Sequence, residues 1–205
     1  MLLILDIDNT LIDTLHKSDY LEYQKKGLIR RPPDHVVDEM VVWERTNLKD
    51  FMNFLDEKIE YLGIWTNGNN FWLNFVITNI LSKYISPSRF IIKYSIDKST
   101  SHLLQERDKN GNNYQIKVFI KKLEDIFLSE MQFNKDNTLL LDDNLYNCFY
   151  NKYNSLPIKK FLIVNGEDSG LIKVMSILKN LRRCKSINNS LIKVYNGVNY
   201  EKLFT

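Results

Sequence analysis

Two aspartates spaced by one residue, Asp6 and Asp8, follow the apolar run Leu2-Leu3-Ile4-Leu5. Side chains at i and i+2 share a face of a regular strand, so both carboxylates can look into one cleft. Two buried carboxylates at a strand end are costly unless a cation compensates them. A second acidic pair, Asp142-Asp143, ends the apolar run Thr138–Leu141, and Thr66-Asn67-Gly68 ends the run Tyr61–Trp65. So many carboxylates point to a hard divalent ion. Magnesium fits, since it takes oxygen ligands and is usually held by one or two carboxylates together with substrate phosphate and water. The hydroxyls of Thr10 and Thr66 suit phosphate oxygens, and a lysine would complete the balance of charge.

These residues can meet only if the runs before them are neighbouring strands. Leu2–Ile7, Tyr61–Trp65, Thr138–Leu141 and Lys160–Val164 are short continuous apolar runs, the form of strands buried on both faces. Amphipathic segments separate them. Asn47–Lys58 carries Leu48, Phe51, Met52 and Leu55 at helical spacing, with Thr46 or Asn47 as cap. Asn69 or Asn70 caps a helix to about Lys83, Gln115 to about Glu130 reads as a third helix, and Ser169–Leu181 as a fourth. Strands alternating with helices predict an α/β fold of three layers, Rossmann-like, with a mainly parallel sheet. Ligands in such sheets bind at the carboxyl ends of the strands, which is where these polar residues stand.

Two stretches break the rhythm. Leu15 to Val42 holds the turn Arg31-Pro32-Pro33-Asp34 and a possible strand Met40–Trp43, and Phe90 to Tyr114 holds the hairpin-type turn Asp108-Lys109-Asn110-Gly111. We read residues 1–205 as one domain, with excursions over about 15–43 and 90–114 and a C-terminal helix and tail over 168–205.

Composition narrows the class. The chain has 205 residues, 44% hydrophobic and 26% charged, with a net charge of only +3. No stretch approaches the ~18–20 uninterrupted apolar residues of a membrane span, and the run Met1–Leu5 is too short for a secretory leader. The two cysteines have no metal-binding spacing, which fits an intracellular chain, in cytoplasm or nucleus, with reduced thiols. Lysines outnumber arginines 21 to 7, a genome-composition skew, so the cluster Lys25, Lys26, Arg30 and Arg31 reads as a solvated face. Trp43, Trp65 and Trp72 read as core rather than a ligand cage.

Leu2-Leu3-Ile4-Leu5-Asp6-Ile7-Asp8-Asn9-Thr10 resembles the first motif of the haloacid dehalogenase-like phosphohydrolases, four apolar residues then DxDxT. Ile64-Trp65-Thr66-Asn67-Gly68 resembles their second motif, and Leu139-Leu140-Leu141-Asp142-Asp143-Asn144 the fourth. The resemblance implies roles at the matching positions. Asp6 would be the nucleophile that forms an aspartyl-phosphate. Asp8 would be general acid, then base. Asp6, the backbone carbonyl of Asp8, and Asp143 would hold magnesium, with Asp142 either beside them or paired to the lysine. Thr66 and Asn67 would face the phosphoryl group, and Thr10 would bind phosphate or support the loop. The third motif is a single lysine. Lys117, Lys121 and Lys122 are candidates, and Asn113-Tyr114-Gln115-Ile116-Lys117 at an expected helix start resembles the pattern preceding it in the carboxy-terminal-domain phosphatases.

Only 55 residues separate Thr10 from Thr66, and 50 separate Thr66 from Lys117, leaving no room for a large cap. An open site suits macromolecular substrates. Within that group the chain resembles the FCP/SCP family, phosphatases of the RNA polymerase II carboxy-terminal domain, through Met40–Trp43 followed by Glu44-Arg45-Thr46, the helix after Thr66, and the late helix. It departs where the family usually has Glu at Asn9, His near Asp13 and Arg-Pro at Arg45-Thr46. The function expected is magnesium-dependent removal of phosphate from phosphoserine or phosphothreonine of a protein, by a monomer. The alternatives are a nucleic-acid 3′-phosphatase using a basic trough at Arg30, Arg31 and Arg89, a small-molecule phosphatase, and a silent phosphoprotein-binding scaffold.

Overall fold

A computed structural model describes residues 1–166 and 168–191. The last 14 residues of the expected C-terminal tail lie outside the described residues. In chain order the elements are β1 (Leu2–Leu5), β2 (Ile12–His16), α1 (Lys17–Lys25), β3 (His35–Val37), β4 (Met40–Glu44), α2 (Leu48–Lys58), β5 (Tyr61–Trp65), α3 (Asn70–Phe75), β6 (Phe90–Tyr94), β7 (Thr100–Arg107), β8 (Asn113–Ile120), α4 (Leu123–Ser129), β9 (Thr138–Asp142), α5 (Leu145–Tyr150), β10 (Ser155–Pro157) and α6 (Gly170–Leu181).

Five strands form a parallel sheet in the order β10-β9-β1-β5-β6. β1 is central and fully buried, so its side chains alternate between two cores. Leu3 and Leu5 pack with Phe51 and Leu55 of α2 and Val174 and Leu178 of α6. Leu2 and Ile4 pack with Leu123 and Ile126 of α4 on the opposite face. The expected three-layer α/β architecture is therefore present. A second sheet, β2-β4-β3, is antiparallel, and β7 with β8 forms an antiparallel hairpin. Ile187 and Leu191 join the α2–α6 core, so the chain beyond α6 returns to it. Among the described residues no helix is long and apolar enough to cross a membrane.

Three expectations are corrected. Residues 115–130 are not one helix: Asn113–Ile120 is β8, and only Leu123–Ser129 is helical. Ile116, Val118 and Ile120 alternate on one hairpin face, a period of two that the helical reading of Ile116, Phe119 and Ile120 overlooked. The second excursion is therefore displaced, because Phe90–Tyr94 is a strand of the main sheet and the hairpin runs over 100–120. Lys160–Val164 is not a strand either. Phe161 and Ile163 instead fill the core of the small antiparallel sheet with Val41 and Trp43, and the edge strand of the main sheet is Ser155–Pro157. A proline is tolerated at such an edge.

The helix begun by Asn69, whose side chain accepts the Trp72 N–H, does reach Lys83, but as α-, then π-, then 3₁₀-type turns. The Thr78 and Ser82 hydroxyls donate to the carbonyls of Asn74 and Thr78 at 2.7 and 2.6 Å, competing with the regular ladder.

Candidate active site

The carboxyl ends of β1, β5 and β9 lie side by side in the sheet, and the chain just beyond each carries the polar residues. Asp6, Asp142 and Asp143 each place a carboxylate oxygen within 4.8 Å of the others, all three buried. The loop after Asp6 turns back sharply: the Thr10 and Leu11 N–H groups donate to the Ile7 carbonyl at 3.2 and 2.8 Å. Asn9 sits in that turn at a φ of 60°, a left-handed conformation that asparagine adopts more readily than glutamate. That is a physical reason for the departure at this position.

Lys121 is the cation of the site. It is fully buried, and its Nζ pairs with Asp6 and lies 2.8 Å from Asp142 Oδ2. Burial works against its charge, but Asp142 and Asp6 outweigh that and hold its pKa above the ordinary value. Two asparagines one turn apart on α5 and just beyond it fix its backbone. Asn147 Oδ1 accepts the Lys121 N–H at 3.1 Å, and Asn151 Nδ2 donates to the Lys121 carbonyl at 2.7 Å. Asn147 Nδ2 also donates to Asp142 Oδ2 at 3.0 Å.

Lys117, the lysine favoured from the sequence, is not at the site. It is exposed on β8, opposite Leu103, with its Nζ over the Phe119 ring at 5.1 Å. Because residues 113–120 are a strand and not the start of a helix, it is Lys121, just past β8, that reaches Asp6. Lys122 is likewise outside, over Tyr150.

Asp8 stands apart from the three acids. Its Oδ2 accepts from the Thr66 hydroxyl at 3.0 Å and its Oδ1 from Trp72 Nε1 at 2.9 Å. Burial first, then the negative Asp6, raises its pKa, which suits a proton donor. Thr66 Oγ1 also accepts the Gly68 N–H at 2.8 Å. Thr10 is fully buried, donating to Asp143 Oδ1 and accepting the Asp143 N–H, both at 3.2 Å, which makes it a brace between two loops. Asn67 braces the hairpin: its Nδ2 donates to the Phe119 carbonyl at 3.1 Å and its Oδ1 accepts from Ser99 at 2.7 Å.

Trp72 is the residue most plainly missed. Trp43 and Trp65 are core as expected, and Trp72 packs partly buried against the main core while its Nε1 also reaches Asp8. Its signal in the sequence is faint, a tryptophan six residues beyond Thr66 in the helix that follows.

Three acids and one lysine leave a surplus of negative charge. Burial raises Asp143 to about 8 and Asp142 to about 6, with Asp6 adding to both and Lys121 lowering Asp142. Asp142 is committed to Lys121 and Asn147 and accepts the Asn144 N–H at 2.8 Å. Asp143 Oδ2 faces the exposed Lys160 at 3.8 Å, and the neighbouring Asp6 carboxyl raises its pKa further. An all-oxygen donor set with uncompensated charge fits magnesium, with Asp143 and Asp6, whose Oδ1 is paired to Lys121, as the carboxylates that would hold it.

A groove of about 440 Å³ opens beside Asp8, walled by Thr14, Met40, Asn69 and Trp72. A larger cavity of about 770 Å³, between Gly27–Pro32 and Phe161–Gly166, contains none of the acids. The carboxylates and lysine, not the volume, locate the chemistry. Arg31 and Arg89, two members of the expected basic trough, are paired with Asp34 and Asp56 at 3.1 and 2.7 Å.

The family model for NLI interacting factor-like phosphatases matches residues 1–188, and the chain belongs to that family. The expected FCP/SCP-like branch is thereby borne out. A Drosophila melanogaster relative, "Ubiquitin-like domain-containing CTD phosphatase 1", is 24% identical over 199 residues, covering 92% of this chain and 51% of that protein. The solved structure of Fcp1, described as an essential RNA polymerase II CTD phosphatase, aligns over 95% of this chain and 52% of its own at 18% identity, with a TM-score of 0.50, and shares the fold. A beryllium fluoride-bound fission yeast Fcp1 variant aligns over 98% of this chain and 56% of its own at 16% identity, with a TM-score of 0.49. The chain thus spans about half the length of the relatives it matches.

Proposed function

We propose that this family member removes phosphate from phosphoserine or phosphothreonine of a protein, by way of an aspartyl-phosphate on Asp6 and with magnesium. The observation that carries the reading is the division of labour among the carboxylates. Asp6 is locked to a buried lysine beside Asp142 and Asp143, while Asp8 is held separately by two donors. A nucleophile needs its negative charge steadied, and a general acid needs a proton retained near neutral pH.

In the first step an Asp6 oxygen attacks phosphorus as the bond to the seryl oxygen breaks. The bonding pair passes to that oxygen, which takes the proton of Asp8. In the second step Asp8, now a carboxylate, takes a proton from water as the water oxygen attacks phosphorus and the bond to Asp6 breaks. Lys121 supplies fixed positive charge to the attacking carboxylate, and Thr66 keeps Asp8 aligned. Magnesium at Asp6, Asp143 and the Asp8 carbonyl would supply charge neutralisation to the phosphoryl oxygens.

A protein substrate is favoured by the open groove at Asp8 and by the name of the Drosophila relative. The engagement of Arg31 and Arg89 in ion pairs speaks against the nucleic-acid reading. The free cysteines Cys148 and Cys184 accord with the cytoplasm or nucleus.

The test is phosphate release from a phosphoserine heptad peptide of the polymerase tail and from an aryl phosphate, with magnesium or EDTA. We expect magnesium-dependent release from both, abolished in a folded Asp6→Asn variant. Release from the aryl ester alone would remove the assignment to this peptide class, and release surviving in Asp6→Asn would remove the covalent mechanism.

A further inference from the structure

We propose that Trp72 is a positioning residue, whose indole N–H works with the Thr66 hydroxyl to fix the Asp8 carboxyl in the plane from which its proton reaches the leaving oxygen. The inference rests on the phosphatase reading above and deepens it.

The torsion that turns a carboxyl group is broad and roughly two-fold, so an aspartate side chain does not by itself choose the plane of its carboxyl. Here each Asp8 oxygen has a dedicated donor, Trp72 Nε1 at 2.9 Å on Oδ1 and Thr66 Oγ1 at 3.0 Å on Oδ2. The threonine oxygen already accepts the Gly68 N–H at 2.8 Å, which directs its own proton at Asp8. The indole nitrogen is a donor only. A proton on Asp8 therefore has no place between Oδ1 and the ring. It is left to the lone pairs that face away from both donors. Asp8 and Trp72 are both walls of the open groove, so the leaving group and the proton meet there.

Three separate features aim the indole. The Trp72 backbone N–H donates to Asn69 Oδ1 at 2.9 Å, setting the first turn of α3. The ring stacks on Phe75 at 5.8 Å between centroids and 9° between planes. A Cβ added at Gly68 would come within 2.5 Å of Trp72 Cδ1, so only glycine lets the ring come this close to the loop after Thr66. A tryptophan serving merely as core would need none of this register with Asp8.

The step affected is the first. As the Asp6 oxygen–phosphorus bond forms and the phosphorus–seryl oxygen bond breaks, the departing alkoxide must take a proton from Asp8. A 4-nitrophenolate leaves without one. Misaligning Asp8 should therefore penalise a seryl phosphate and spare 4-nitrophenyl phosphate in kcat/KM, which reports steps up to the first irreversible one.

Trp72→Phe removes the donor and keeps an aromatic ring, and Trp72→His keeps a ring N–H. Both are made in the full chain and checked by thermal melting. We expect Trp72→Phe to lower kcat/KM on the phosphoserine peptide about 10- to 100-fold through kcat, with the aryl ester changed less than about threefold. Trp72→His should recover much of the loss. Equal losses on both substrates in folded Trp72→Phe, or a loss confined to KM, would overturn the proposal. If Trp72→Phe does not fold, the His variant decides alone: a peptide-to-aryl ratio near that of the parent supports the role, and a collapsed ratio overturns it. Parent protein that releases phosphate from neither substrate with magnesium would instead sink the phosphatase reading, and the proposal with it.

Discussion

Lys121 is the cation to which Asp6 and Asp142 are both tied, and its placement is a matter of single residues. It follows the last residue of β8, where the chain leaves the hairpin, and Asn147 and Asn151 seize its backbone on both sides. Removing a preorganised charge at a reacting centre typically costs 10²–10³ in turnover, so Lys121→Met should lose at least about 100-fold on an aryl phosphate. Lys117→Met should stay within about twofold, as surface substitutions do. Paired turnover assays on folded variants decide between them, and comparable losses would show that Lys121 is not the lysine that serves the site. The sequence makes Asp6, Asp8, Thr66, Asp142 and Asp143 legible because each ends an apolar run that must be a buried strand. Lys121 ends no such run, and the contact of Trp72 with Asp8 depends on the angle at which α3 leaves β5. Neither follows from spacing along the chain.

Arg45, just past the end of β4, ties together the loops that carry Thr10, Lys159 and Asp168. Its side chain is fully buried, with Nε 3.0 Å and Nη2 2.8 Å from Asp168 Oδ2, Nη1 2.9 Å from the Thr10 carbonyl and Nη2 2.7 Å from the Lys159 carbonyl. It lies over the Phe161 ring, and a Cβ at Gly170 would sit 2.4 Å from its Nη2, so the start of α6 is cut to fit it. Breaking a fully buried ion pair from one side costs about 3–5 kcal/mol, and with Asp168 left partly in contact with water the loss expected for Arg45→Met in urea unfolding lies at the lower end, about 3 kcal/mol. Arg45→Lys should not restore it, because an ammonium cannot reach one carboxylate and two carbonyls in a plane as the guanidinium fork does. Stability of Arg45→Lys within about 0.5 kcal/mol of the parent would show that charge alone suffices.

Elements differ in how plainly the sequence announces them. The central strands and α2 and α6 do so because burial on both faces, or on one stripe, leaves an unbroken pattern. The hairpin does not: β7 reads Thr-Ser-His-Leu-Leu-Gln-Glu-Arg, half-exposed throughout, and its pairing partner imitates a helical period by carrying Phe119 on the other face. The apolar run at Phe161–Val164 is misleading for the opposite reason, since it serves a second core that the main sheet does not share.

The surplus of buried acid should make the stability of the whole molecule depend on pH, and a divalent cation held by those acids should change that dependence. Asp143 keeps its proton up to about 8 in the folded protein, and Asp142 up to about 6, against 3.8 for an ordinary aspartate. Between pH 4 and 8 the folded state therefore binds more protons than the unfolded chain. By linkage, unfolding free energy must fall as pH rises through that window, by up to about 1.4 kcal/mol per pH unit for each proton held. Asp8, also raised, acts in the same direction. Lys121, held above its ordinary value, stays charged throughout and does not reverse the slope. A divalent cation that needs the ionised carboxylates competes with these protons, so its stabilisation should grow with pH. Urea unfolding at pH 5, 6, 7 and 8, in EDTA and in excess magnesium, measures both effects. The curve in EDTA should decline toward pH 8 while the curve in magnesium flattens. Stability in EDTA that holds level or rises, or a magnesium increment independent of pH, would show that the three acids do not form one charged centre.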